Sequence, residues 1–162
     1  MDSAEHVTIY TDGACIGNPG RGGYGVVLLK DERRSELAGG YHRTTNNRME
    51  IIAAIVGLEA LEGRCQVTLC SDSAYMVNAI NRGWAQRWRA NGWRRTKTEQ
   101  AQHPDLWGRL LGLCEFHQVK FRWVKGHSGD RENERCDRLA SQAARGQGLS
   151  IDDGYIGAFD SR

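Results

Sequence analysis

The chain has only two prolines in 162 residues, and its five cysteines form neither an even set nor a CxxC pair. Unpaired thiols (Cys15, Cys65, Cys70, Cys114 and Cys136) argue against a disulfide framework or a zinc ribbon and fit a reducing, cytoplasmic setting. Long apolar runs are also lacking. The longest, Ile51–Leu58, falls well short of the ~18 residues a membrane span needs, so no membrane partner is expected. Met1–Glu5 has neither a basic n-region nor an apolar h-region, so no signal peptide is expected. Internal repeats, low-complexity tracts and Pro/Ser-rich linkers are missing as well. One domain over residues 1–145 is expected, acting as a monomer, with a glycine-rich, mobile tail over 146–162.

What is present is enough for a core. Five Trp, five Tyr and three Phe accompany several aliphatic runs, which excludes a disordered chain. Twenty glycines show no G-X-Y period, which excludes collagen. Net charge is only +2, but it is unevenly spread. Arg82, Arg87, Arg89, Arg94, Arg95 and Lys97 fall within residues 82–97 with no acid among them, leaving the remainder net acidic. Such an island suggests a surface for a polyanion.

Patterning predicts an α/β fold. His6–Thr11 reads as a strand ending at Asp12-Gly13, and Tyr24–Lys30 with Arg33–Tyr41 as a hairpin. Residues 48–61 are apolar nearly all round and predict a deeply buried helix. Gln66–Ser71 follows as a strand, then short helices over 74–80 and 81–90, and a helix opened by Pro104. Val119–Val124 is a last strand and Asp130–Ala144 a last helix. The helix over 48–61 crosses between the first and fourth strands, making them parallel neighbours. Their carboxyl ends then lie side by side, where open α/β sheets place their sites.

The residues at those ends are Asp12 and Asp72. Each has a bland account: Asp before Gly is common turn chemistry, and Asp72 or Ser73 can cap a helix. Glu50 completes a capping-box-like Asn47-Arg48-Met49-Glu50, and Asp137 is an ordinary acid two turns into the last helix. As a set they are harder to excuse. Three carboxylates brought within a few ångströms repel one another unless hard divalent cations join them, which points to a Mg²⁺ site. His127 lies on a loop between Gly126 and Gly129, a position suited to a mobile proton carrier. Gly20-Arg21-Gly22-Gly23-Tyr24-Gly25 spells G-x-G-x-x-G, but a strand follows where a dinucleotide fingerprint needs a helix. These glycines are expected to form a tight lead-in to the hairpin.

Longer strings carry a resemblance. Tyr10–Cys15 with Gly17–Gly20, Thr44–Glu50, Ser71–Ser73, Trp123–His127 and Glu132–Asp137 closely resemble, in order from about residue 6 to 145, the bacterial type 1 ribonucleases H. The resemblance implies a mixed five-stranded sheet of order 3-2-1-4-5 flanked by helices. It also implies an endonuclease that cuts the RNA strand of RNA/DNA hybrids, leaving 5′-phosphate and 3′-hydroxyl ends. Asp12, Glu50, Asp72 and Asp137 would hold two Mg²⁺ ions, which Mn²⁺ can replace, with Asp12 bridging. His127 would assist proton movement or product release. Cys15, Asn18, Asn46 and Ser73 stand where 2′-hydroxyl contacts are made, and Arg43 with Thr45 resembles a DNA-phosphate pocket. The segment from about 81 to 98 resembles a basic handle, with Trp84, Arg87, Trp88, Arg89, Trp93, Arg94 and Arg95 against the hybrid. Three departures stand out: Ala74 where relatives carry glutamine, weak basicity after Lys97, and Asp130-Arg131 behind His127. A hybrid-binding module without catalysis and an integrase-like DNA nuclease are the competing readings.

Overall fold

The computed structural model describes residues 5–155. Strands β1 (Glu5–Ile16), β2 (Gly20–Lys30) and β3 (Arg33–Thr44) are followed by α1 (Asn46–Glu59) and β4 (Cys65–Ser71). Helices α2 (Ala74–Asn81), α3 (Trp84–Ala90) and α4 (Pro104–Phe116) lead to β5 (Gln118–Trp123) and α5 (Arg131–Ala144). The sheet order is β3-β2-β1-β4-β5. β1, β2 and β3 pair antiparallel, whereas β1–β4 and β4–β5 are parallel. Among the described residues, no helix is long and apolar enough to cross a membrane.

Period-2 alternation divides the sheet's side chains between two layers. Ile9, Val26, Val67 and Leu69 face α1, α2 and α4, joining Ile51, Ile55, Leu58, Met76, Trp107 and Leu110 in the main core. Tyr10, Val27 and Leu29 face the other way, towards Cys136 and Leu139 of α5. Helix α1 is buried on nearly every side, because the sheet flanks it on one face and α4 on the other.

Three local expectations change. β1 continues past Asp12 to Ile16, because β2 keeps pairing with it (Asp12 opposite Gly25) after β4 has ended at Ser71. The Asp12-Gly13 pair therefore lies inside a strand, at the point where its parallel neighbour leaves. Gly20–Gly25 form the first half of β2 and not a lead-in to it. A Cβ at Gly23 would strike Ala140 O, and one at Gly25 would strike Cys136 O. Those glycines let α5 lie directly on the strand. The N-cap of α1 is Thr45, whose side chain accepts from Arg48 N, so Asn47–Glu50 is not the capping box its letters suggest. Within the segment expected to form the tail, Ser150 meets β3: His42 N donates to Ser150 O (2.7 Å) and Ser150 N to Gly40 O (3.0 Å). The remainder of that expectation, over 156–162, lies outside the described residues.

His117 joins the end of α4 to the start of β4. Its Nδ1 accepts from Cys65 N at 3.1 Å, and burial lowers its pKa from the usual 6.5. A depressed folded pKa means the unfolded chain binds the proton first as pH falls. His117 thus contributes stability that is complete above about pH 6.5 and lost as acidification protonates the folded form. In urea melts at pH 7.5 and pH 5, the stability gap between wild type and His117→Gln should narrow on the acid side. A constant gap would show that the ring does not titrate on unfolding.

Candidate active site

The separation of β1 from β4 opens a crevice at the carboxyl end of the sheet, and the acids gather there. One carboxylate oxygen from each of Asp12, Glu50 and Asp72 lies within 4.8 Å of the other two. Asp12 is 5% exposed, whereas Glu50 and Asp72 are half-buried. Gly13 explains how a helix residue joins two strand residues. A Cβ there would come within 2.6 Å of Met49 C and Glu50 N, so only glycine lets the first turn of α1 press against β1. The contact is then fixed by Gly13 N donating to Glu50 Oε1 at 3.1 Å.

Electrostatics shows that the cluster is not neutralised from within. Burial first, then the charges of Asp72 and Asp137, push the Asp12 carboxyl up to about 8. Burial, followed by Asp12 and Asp72, holds Glu50 well above the ordinary carboxylate range. Asp137 stands outside the trio of mutually close oxygens yet near enough to raise Asp12. The donors are all carboxylate oxygens, the ligand type suited to hard divalent cations such as Mg²⁺, Ca²⁺ and Mn²⁺.

Asp72 is held from three sides by residues of the recognisable strings to which the sequence alone assigns no role. Asn133, 2% exposed, aims its Nδ2 at Asp72 Oδ2 (3.5 Å). Trp123 Nε1 donates to Asp72 O at 3.2 Å, and the backbone of Gly126 abuts the Asp72 carboxylate. A signal for Asn133 was available: it lies four residues before Asp137, hence on the same helical face. His127 follows Gly126 on the exposed loop, with φ of 55°. Asp130 closes that loop by accepting from Glu132 N and Asn133 N at the start of α5.

The expected polar rim is assembled in part. Asn18 Oδ1 accepts from Asn46 N (3.0 Å), tying the β1–β2 turn to the start of α1. Cys15 Sγ faces Thr44 O (3.4 Å) and Gly20 O (3.6 Å), and burial raises its thiol pKa. Thr45 caps α1, Ser73 caps α2 by accepting from Met76 N, and Arg43, two residues before Thr45, is exposed. The aromatic part of the handle packs inward. Trp84, Trp88 and Trp93 lean on the main core, Trp88 meeting Trp107 edge-on at 5.9 Å. Tyr75, Trp84, Trp88, Arg95 and Gln102 line a cleft of about 440 Å³. The handle is less purely basic than its own sequence suggests, since Arg89 pairs with Glu115 and Arg95 with Glu99. Arg87 and Arg94 meet the backbone carbonyls of Arg82 and Lys97 instead.

Comparison with known proteins agrees with this architecture. The RNase H family model matches residues 4–145. Ribonuclease H of Syntrophus aciditrophicus (strain SB) is 64% identical over 154 residues, covering 95% of this chain and 89% of that protein. Among solved structures, LC9-RNase H1, described as a type 1 RNase H with the type 2 active-site motif, superposes with a TM-score of 0.80 at 30% identity. The match covers 93% of this chain and 77% of that one. LC11-RNase H1, solved in complex with an RNA/DNA hybrid, shares the fold with a TM-score of 0.66 at 23% identity, over 86% of this chain and 96% of that one. With acids at the sheet crevice, a profile match along almost the whole described chain and a relative this similar over nearly its full length, the chain belongs to the ribonuclease H family of enzymes.

Proposed function

We propose that the protein is an endonuclease that hydrolyses the RNA strand of RNA/DNA hybrids at the Asp12–Glu50–Asp72 cluster, with Asp137 completing the set, and leaves 5′-phosphate and 3′-hydroxyl ends. The observation that carries this reading is the convergence of three carboxylates, among which burial first and then the neighbouring charges favour the protonated forms of Asp12 and Glu50. Divalent cations relieve the repulsion among those charges, and the four acids are the residues that would hold a pair of them. When bound, Mg²⁺ or Mn²⁺ lowers the pKa of an attacking water and offsets charge on the leaving oxygen.

The chain's own groups do the positioning. Asn133 turns Asp72 by its amide, which leaves the remaining carboxylate lone pairs facing the crevice. Ser73 accepts a backbone bond in its cap, so its hydroxyl proton stays available to donate to a 2′-hydroxyl. Asn18 accepts from Asn46 through its oxygen, which frees its amide hydrogens for the same task. Reading the 2′-hydroxyl is what separates RNA from DNA. Arg43 and Thr45 receive a phosphate of the DNA strand, and the handle with its aromatic cleft holds the duplex alongside. His127, on its exposed loop, takes up or releases a proton as the product leaves. His127→Ala should slow turnover by roughly 10²-fold or more without abolishing it. Unchanged turnover across pH would remove that role.

The test of the function is end-labelled RNA in a hybrid, incubated with Mg²⁺ and with EDTA, beside single-stranded RNA, duplex RNA and duplex DNA. Internal cuts confined to hybrid RNA and abolished by EDTA are expected. Binding without cutting would favour the non-catalytic module, and cutting of duplex DNA the integrase-like reading.

A further inference from the structure

The segment after α5 forms part of the site's support. Asp152, 4% exposed, accepts from Arg48 Nε (2.7 Å) and Nη2 (3.0 Å) and from Thr44 Oγ1 (2.7 Å). Arg48, 3% exposed, also binds Asp105 at the start of α4 through Nη1 (3.1 Å) and Nη2 (2.6 Å). Its Nη1 lies 3.4 Å from His103 Nδ1. One buried guanidinium therefore joins three parts of the chain: the last described segment, the start of α4 and the first turn of α1. The same segment is pinned independently by Ser150, which bonds both Gly40 and His42 of β3. Gly154 seals the junction, because a Cβ there would collide with Asp105 Oδ2 and Arg48 Nη2.

What this clamp holds is the stretch from Thr44 to Glu50. Thr44 is fully buried and its carbonyl faces Cys15 Sγ; Thr45 caps α1; Asn46 N is bound by Asn18; and Glu50 reaches Gly13. A carboxylate removed from one end of that stretch leaves its buried partners, Thr44 Oγ1 and Arg48, to find new bonds. Arg48 lies in the first turn of α1, two residues before Glu50, so a backbone adjustment at Arg48 reaches Glu50.

We propose that residues 149–155 act as a strap, with Asp152 as a positioning residue that sets the placement of Asn46 and Glu50 through Thr44 and Arg48. The proposal rests on the reading that Glu50 holds metal and Asn46 faces the hybrid. Asp152 itself touches neither.

Two variants of the full chain test it: Asp152→Asn, which removes charge, and Gly154→Ala, whose Cβ crowds Asp105 Oδ2 and Arg48 Nη2 where they meet the strap and leaves every charge in place. Val67→Ala, in the core far from the crevice, supplies a destabilised control. Hybrid cleavage is measured at a temperature where melting curves show each protein folded. Both strap variants should raise the half-saturating Mg²⁺ concentration, read from cleavage and independently from the Mg²⁺-dependent rise in Tm, and the KM for hybrid by about tenfold, the low end of the loss expected when groups that orient a metal ligand are disturbed. Val67→Ala should lower Tm and leave both parameters at the wild-type value. Strap variants within twofold of wild type in both parameters would reduce the strap to a purely stabilising element and overturn the proposal. A wild type that fails to cut hybrid at all would instead sink the functional reading on which the proposal rests.

Discussion

Asp12→Asn is expected to abolish measurable hybrid cleavage, a loss of at least ~10³-fold, and at the same time to make the metal-free protein more stable at neutral pH. The first effect follows from removing a central ligand at nearly constant volume; several kcal/mol of transition-state charge stabilisation is lost, and each ~1.4 kcal/mol is a factor of ten. The second follows from the direction of the Asp12 shift. Its folded-state pKa is raised to about 8 from 3.8, so the folded protein holds a proton that the unfolded chain releases. Stability associated with Asp12 is thus complete at low pH and declines as pH rises from about 4 through about 8. Asparagine carries no such penalty. In EDTA at pH 7.5 the variant should melt higher by about 2–6 °C, on the scale of 1 kcal/mol or more in a domain of this size. The gap should close towards pH 4. A variant that cuts normally would remove Asp12 from the site, and one that melts lower at pH 7.5 would show the cluster compensated by the protein itself.

Charge reversal at Arg87, Arg89 and Arg94 should raise the KM for hybrid by one to two orders of magnitude and leave kcat within a few-fold. Every phosphate that the handle no longer neutralises should reduce the slope of log KM against log salt by about one. The structure ranks the three. Arg87 and Arg94 bond backbone carbonyls, which leave their charge in place, whereas Arg89 already faces Glu115 at 2.6 Å. Single reversals at Arg87 and Arg94 should therefore exceed that at Arg89. Exposed ion pairs contribute little to stability, so Tm should hardly move. An unaltered salt slope would make α3 a solvated helix attached by Trp84 and Trp88, and nothing more.

The acid cluster was legible because crossover topology alone sets β1 beside β4, and Asp12 and Asp72 stand where their pairing ends. Glu50 was legible by its place on the crossover helix, but its local context misled: Asn47–Glu50 spells a cap that Thr45 in fact provides. Asp12-Gly13 looked like a turn for a related reason. The glycine serves close approach to Met49 and Glu50, a tertiary requirement that local sequence does not encode. The same holds at Gly23 and Gly25, where the opposing surface is a helix more than a hundred residues away. Of the acids that pair with the handle, Glu99 lies in the weakly basic stretch after Lys97 and was legible, whereas Glu115 lies on α4, far along the chain from Arg89. Arg48 appeared only as a letter within a familiar string; its partners Asp105 and Asp152 are 57 and 104 residues distant.

That Asp12, Glu50 and Asp72 form a divalent-cation site, and that this site makes the protein a nuclease, is tested most directly by a Mg²⁺ titration of Tm at pH 7.5. Wild type and Asp12→Asn would be run in parallel. Mg²⁺ should raise the wild-type Tm over the same concentrations that activate cleavage, and leave the variant unmoved. Equal stabilisation of both proteins, or cleavage activated with no shift in the wild type, would place the cation elsewhere and contradict the assignment.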